Sequence, residues 1–275
     1  MGSDRLYRGS RRDASRKCLK GGGLKVKYVQ FQKDDKISYG ILEGKTISSI
    51  SGDLFGDYNV IDIKHDLQDI TLLAPCNPSK VVAVGLNYRD HAKEMQEAIP
   101  DTPKLFLKPA TAVIGPEQEI VLPDMSSQVD YEAEFAIVIK KIAKNVSVDE
   151  AKEYILGYTC FNDVTARDLQ KRDGQWTRAK SFDTFAPIGP WITDEVDTNN
   201  ADIKLLRNGQ LKQHSNINQF IWKVEELVSF ISRVMTLLPG DVITTGTPSG
   251  IGPMQSGDKV EVVIEGIGTL ANYAK

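Results

Sequence analysis

The chain of 275 residues is poor in cysteine and histidine, with three of each, and it has no long uninterrupted apolar run. Cys18, Cys76 and Cys160 are odd in number and widely spaced. That pattern argues against a disulfide framework, offers no pair of neighbouring cysteines for zinc, and fits a reducing cytoplasm. No two of His65, His91 and His214 stand at zinc-ligand spacing, and His65 and His214 read as loop residues. A metal in this chain therefore needs carboxylates. No stretch approaches the roughly 20 apolar residues of a membrane helix, so no membrane span is expected. Apolar residues at 41% and charged residues at 26% are ordinary for a globular protein with one large domain, or a large domain with a small one.

Acids are also scarce at the start. Seven bases, Arg5, Arg8, Arg11, Arg12, Arg16, Lys17 and Lys20, face only Asp4 and Asp13, so the first 23 residues carry +5 and leave −8 for the rest of a chain whose net charge is −3. Such a leader suits a transit peptide or a nucleic-acid arm and lacks the apolar segment of a secretion signal. Gly21-Gly22-Gly23 reads as a linker, which favours a third origin, a disordered appended leader or an over-long start, with no nucleic-acid partner.

What is present is strand pattern. Residues 24–75 read as a small N-terminal β domain, with strands at 28–31, 37–42 and 46–50 separated by Gly- and Asp-containing turns. Pro75 and Pro78 mark a boundary that no helix crosses. Residues 80–275 then form the larger unit, with strands at 80–85, 105–108, 155–161, 259–264 and 268–273 and an Asn208-Gly209 hairpin. Phe220, Val224, Leu227, Val228, Ile231 and Met235 make the apolar stripe of a helix over 220–235. Regular strand-helix alternation is missing, so the fold class is mostly β (α+β), a mixed roll rather than a parallel barrel or a dinucleotide-binding sheet.

Chemistry concentrates in a few places. Over 130–139 the apolar residues alternate, which puts Asp130, Glu132 and Glu134 on one face of a strand that soon becomes apolar on both sides. Three carboxylates there repel one another and resist desolvation unless a cation joins them, and a hard divalent metal is economical; a solvated strand end is the plain alternative. His91 and Glu94, three apart on a helical segment, present an imidazole and a carboxylate to orient it, or a simple surface pair. Residues 96–103 hold two prolines in a polar run and suggest a lid. Asp163 suits either a ligand or a helix N-cap, and Lys180 either a site or the surface. The glycine-rich turn from Gly246 to Gly252 lacks the lysine of a phosphate loop, but its backbone N–H groups and the Thr247 hydroxyl suit a small carboxylate.

Taken together, Gly85-Leu86-Asn87-Tyr88-Arg89-Asp90-His91-Ala92, Asp130-Tyr131-Glu132-Ala133-Glu134, Phe161-Asn162-Asp163-Val164-Thr165-Ala166-Arg167-Asp168, Lys180-Ser181-Phe182-Asp183 and Thr245-Gly246-Thr247-Pro248-Ser249-Gly250-Ile251-Gly252 resemble the fumarylacetoacetate hydrolase family over residues 80–275. The resemblance implies a β roll, a homodimer, and Mg²⁺ or Mn²⁺ held by Glu132, Glu134 and Asp163. It implies catalytic roles for His91, Glu94 and Lys180, and substrate contacts from Arg167, Gln170, Thr247, Gly246 and Tyr88. The expected enzyme chelates a small 2-oxo or diketo acid, stabilises its enolate, and hydrolyses a C–C bond in an acylpyruvate or fumarylpyruvate. The alternative is an isomerase, tautomerase or decarboxylase of hydroxymuconate-type acids or oxaloacetate.

Overall fold

Short apolar runs divided by Gly and Asp turns become strands. The computed structural model describes residues 26–96 and 98–275 and contains twenty of them against four α-helices. The basic leader at 1–23, with Cys18, lies outside the described residues.

The first three strands, Lys27–Lys33, Lys36–Glu43 and Thr46–Gly52, fall where the alternation places them. A fourth, Tyr58–Asp66, pairs with the third at the edge of the sheet and was not evident from the pattern. Its Val60 and Ile63 are about half exposed, so no buried face marks it in the sequence. His65 lies in this strand and His214 in Gln210–Asn216, which corrects the reading of both as loop residues.

Lys27 and Tyr28 pair with Thr193 and Ile192, so the N-terminal strands run on into a twelve-stranded sheet instead of closing on themselves. Across it follow Ala186–Thr193, Ile155–Asn162, Ala133–Ile139, Val242–Thr244, Lys80–Gly85 and Lys104–Pro109. A five-stranded sheet carries the hairpin whose Asn208 and Gly209 both take positive φ, as a primed turn requires. The helix Val224–Val234 buries Val224, Leu227, Val228 and Ile231; Phe220 and Met235 flank it rather than extend it. Among the described residues no helix is long and apolar enough to cross a membrane. Cys76 and Cys160 are buried free thiols.

The carboxylate stretch departs from its expected form. It is not one strand but two, Val129–Tyr131 and Ala133–Ile139, which belong to different sheets and meet at Glu132. At the break the Asn162 side chain takes the place of a strand partner, its Oδ1 accepting the Glu132 N–H at 2.9 Å. The Glu132 carbonyl in turn accepts the Asp163 N–H at 2.8 Å, so the break itself brings the next acid alongside. Every residue of Ala133–Ile139 is buried, because strands flank it on both edges and side chains cover both faces.

Candidate active site and metal centre

Glu132 and Glu134 come from the broken strand, and Asp163 from the end of Ile155–Asn162 beside it. One carboxylate oxygen from each lies within 4.8 Å of the others, and all three residues are buried. The helix Arg167–Asp173 takes Ala166 as its N-cap, so Asp163 is no cap. Asp130 stands apart from this group: the cation joined to it is Arg167, whose Nε donates at 2.8 Å.

The three acids are not equally compensated. Glu132 accepts from Lys180 Nζ at 2.9 Å and from Arg167 Nη2, and although burial opposes its charge these cations hold it well below the usual carboxylate range. Asp163 accepts from Lys180 Nζ at 2.6 Å and from Lys108 Nζ. Glu134 accepts the Gly246 N–H at 2.9 Å, and among the described residues no lysine or arginine is hydrogen-bonded to it. Burial, then the charges of Asp163 and Glu132, push it well above the usual range. Among the described residues buried in this cluster, four acids including Asp130 face three cations, Lys108, Lys180 and Arg167. An excess of buried carboxylate oxygens, with Glu134 lacking a cation, fits a hard divalent ion.

Lys180 is 2% exposed at the end of the short helix Thr177–Lys180, which excludes the surface reading. Burial disfavours its charge, but Asp163 and Glu132 outweigh burial and raise its pKa. Its ammonium also lies 5.1 Å from the centre of the Phe106 ring. Lys108 is fully buried and burial lowers its pKa, against the pull of Asp163.

The helix Arg89–Met95 sets His91 and Glu94 on one face. His91 is 9% exposed, and its Nδ1 sits 2.9 Å from Glu94 Oε2. The carboxylate is held from behind by the Gly250 N–H at 3.0 Å. This pair is therefore built into the fold, with Nδ1 engaged by the carboxylate. Residues 98–103 after this helix have no helix or strand, and Glu97 lies outside the described residues.

His91, Glu132, Glu134, Asp163, Arg167, Gln170, Lys180 and Thr247 all border one cavity of about 270 Å³. Glu94 backs this cavity through His91. Arg167 reaches it with its nitrogens already engaged by Asp130, Glu132 and Gln170. Gly246 sits at φ +86, close under Asn87, and directs its N–H to Glu134. Tyr88 is buried away from the cavity lining, edge-on to Phe220 with ring centres 4.9 Å apart, and among the described residues its hydroxyl has no partner.

Three groups here escaped the sequence reading. Lys108 is the one buried residue of an otherwise accessible strand, and only its place at the end of Leu105-Phe106-Leu107 before Pro109 sets it apart. Trp176, in a polar loop, meets Phe106 edge-on at 5.2 Å and walls the cavity. Gln213 looks like any polar strand residue, yet is 1% exposed.

Comparison with known proteins accords with this geometry. Residues 80–274 match the family model "Fumarylacetoacetate (FAA) hydrolase C-terminal", and residues 26–75 match "Rv2993c-like, N-terminal". The chain is similar to the structure of 2-hydroxyhepta-2,4-diene-1,7-dioate isomerase from Mycobacterium marinum, with 45% identity, a TM-score of 0.85, and coverage of 90% of this chain and 98% of that one. It is 40% identical to oxaloacetate tautomerase Fahd2a, mitochondrial, of Rattus norvegicus, over 74% of this chain and 69% of the relative. It is also similar to fumarylpyruvate hydrolase from Pseudomonas aeruginosa in complex with Mn²⁺ and pyruvate, with 35% identity, a TM-score of 0.68, and coverage of 73% and 90%. The chain belongs to the fumarylacetoacetate hydrolase family and is an enzyme of its hydrolase, isomerase or decarboxylase kind.

Proposed function

We propose that the protein catalyses proton transfer at the carbon next to the oxo group of a small 2-oxo acid, as a divalent-metal-dependent isomerase or tautomerase. The observation that carries this reading is the Glu94-backed imidazole of His91 on the cavity that also holds the three acids. Glu132, Glu134 and Asp163 would hold Mg²⁺ or Mn²⁺, which would supply Lewis acidity to the site. The residues of the chain do the rest. Lys180 and Arg167 hold Glu132 ionised, so the acid is ready as a ligand. Glu94 fixes the tautomer and direction of His91, whose Nε2 takes and returns the proton. Phe106 and Trp176 supply apolar wall to the cavity, which limits water beside the Lys180 ammonium.

The likeness to the M. marinum isomerase and the rat tautomerase supports placing this reading first, since both are more identical to this chain than the hydrolase is. The likeness to fumarylpyruvate hydrolase supports a second reading, in which the same imidazole deprotonates water for C–C hydrolysis of an acylpyruvate or fumarylpyruvate. A cytoplasmic homodimer, with residues 24–75 as a small N-terminal β domain whose strands continue the main sheet, belongs to this proposal, and light scattering checks the dimer.

The test is turnover with and without Mg²⁺ or Mn²⁺ on oxaloacetate, a hydroxymuconate-type acid, acetylpyruvate and fumarylpyruvate, with products identified by mass. Metal-dependent equal-mass conversion supports the first reading and two acids from one the second. Loss of CO₂ identifies a decarboxylase; no turnover on any of the four contradicts the reading. On the active substrate, His91→Ala lowers kcat by about 10²- to 10⁴-fold, the contribution of a positioned acid-base group. Glu94→Gln loses less, and neither change weakens Mn²⁺ binding, which calorimetry measures.

A further inference from the structure

Gln213 is 1% exposed, in the strand Gln210–Asn216, and has no direct part in the chemistry above. Its Oε1 accepts the Ala133 N–H at 2.9 Å. Its Nε2 donates to Thr247 Oγ1 at 2.9 Å and to the Pro248 carbonyl at 2.8 Å. A backbone N–H only donates and a carbonyl only accepts, so both ends dictate the orientation of this amide. Both of its N–H protons are used. One side chain thereby joins the break after Glu132 to the turn after Gly246, whose own N–H holds Glu134.

The consequence falls on Thr247. Its oxygen accepts from Gln213, so its single proton is left over, and among the described residues no protein acceptor takes it. Thr247 lines the cavity with Glu132, Glu134 and Lys180. We propose that Gln213 is a positioning residue that fixes the Thr247 hydroxyl as a hydrogen-bond donor into the cavity, for the carboxylate of the 2-oxo acid. The proposal rests on the substrate reading above. Without this amide the hydroxyl is free to turn its lone pairs to the anion.

Gln213→Glu tests it, because a carboxylate at the same place accepts the Thr247 proton and draws it out of the cavity. The readout is pyruvate affinity of the Mn²⁺-loaded protein, by calorimetry. Gln213→Glu and Thr247→Val each weaken pyruvate by about 10- to 100-fold, the worth of one hydrogen bond to a charged group. In the Thr247→Val background, Gln213→Glu adds less than about twofold, because the two changes remove the same interaction. An equal loss in both backgrounds overturns the proposal, since a merely structural role is indifferent to Thr247. If melting shows Gln213→Glu unfolded, Gln213→Leu, neutral and of similar size, enters the same cycle with the same criterion. Wild-type protein that binds Mn²⁺ but not pyruvate overturns the substrate reading, and this inference with it.

Discussion

Glu134→Gln abolishes tight divalent-metal binding and lowers turnover by a factor on the order of 10³ or more, yet it raises the melting temperature of the metal-free protein. The two effects share one cause. Glu134 is 1% exposed and, unlike Glu132 and Asp163, has no lysine or arginine bonded to it among the described residues. In the metal-free protein its charge is repelled by both neighbouring acids and opposed by burial, which is why its pKa is raised. Glutamine keeps the shape, and its carbonyl still accepts the Gly246 N–H, so the change removes repulsion without opening a cavity. It also removes one of the three acids proposed to hold the ion. Melting curves with and without Mn²⁺ check both halves: wild type gains stability from the ion and the variant does not. A variant less stable than wild type without metal would show that the charge of Glu134 is already neutralised within the fold.

Lys108→Met destabilises the metal-free protein by about 3–5 kcal/mol, the cost of breaking a buried ion pair by removing one partner. The Lys108 side chain is 0% exposed and that of Asp163 is 1% exposed, so water cannot replace the lost cation. Methionine fills most of the volume, which assigns the loss to charge rather than to a cavity. Asp163 keeps Lys180 as its second partner, and the Val164 carbonyl loses a donor as well. A divalent ion therefore restores more stability to this variant than to wild type. Denaturant unfolding with and without Mg²⁺ measures both quantities.

Much of this molecule could be read from the sequence because its strands carry apolar alternation or short apolar runs bounded by turn residues. Lys259–Ile264 buries every second residue, as its alternation displays, and Lys80–Gly85 is a continuous apolar run buried throughout its middle. Glu132 and Glu134 were legible through the conflict between charge and burial, which also picked out Asp130, whereas Asp163 entered through motif resemblance. The break at Glu132 was not, since alternation continues through it unchanged; only the Asn162 side chain, thirty positions away, reveals that the ladder stops. Lys108 and Gln213 were hidden for a related reason. Their burial is decided by strands distant in sequence, so a lysine before Pro109 and a glutamine in Gln210–Asn216 carry no local sign of it. Tyr58–Asp66 was hidden because an edge strand exposed on both faces needs no pattern.

The central claim is that Glu132, Glu134 and Asp163 hold one divalent ion at which a 2-oxo acid binds. Water-proton relaxation of Mn²⁺, titrated with the protein and then with pyruvate, tests it most directly. The account predicts one tightly held Mn²⁺ per chain and a relaxation enhancement that changes as pyruvate is added. Mn²⁺ relaxing as the free ion in the presence of excess protein would contradict it.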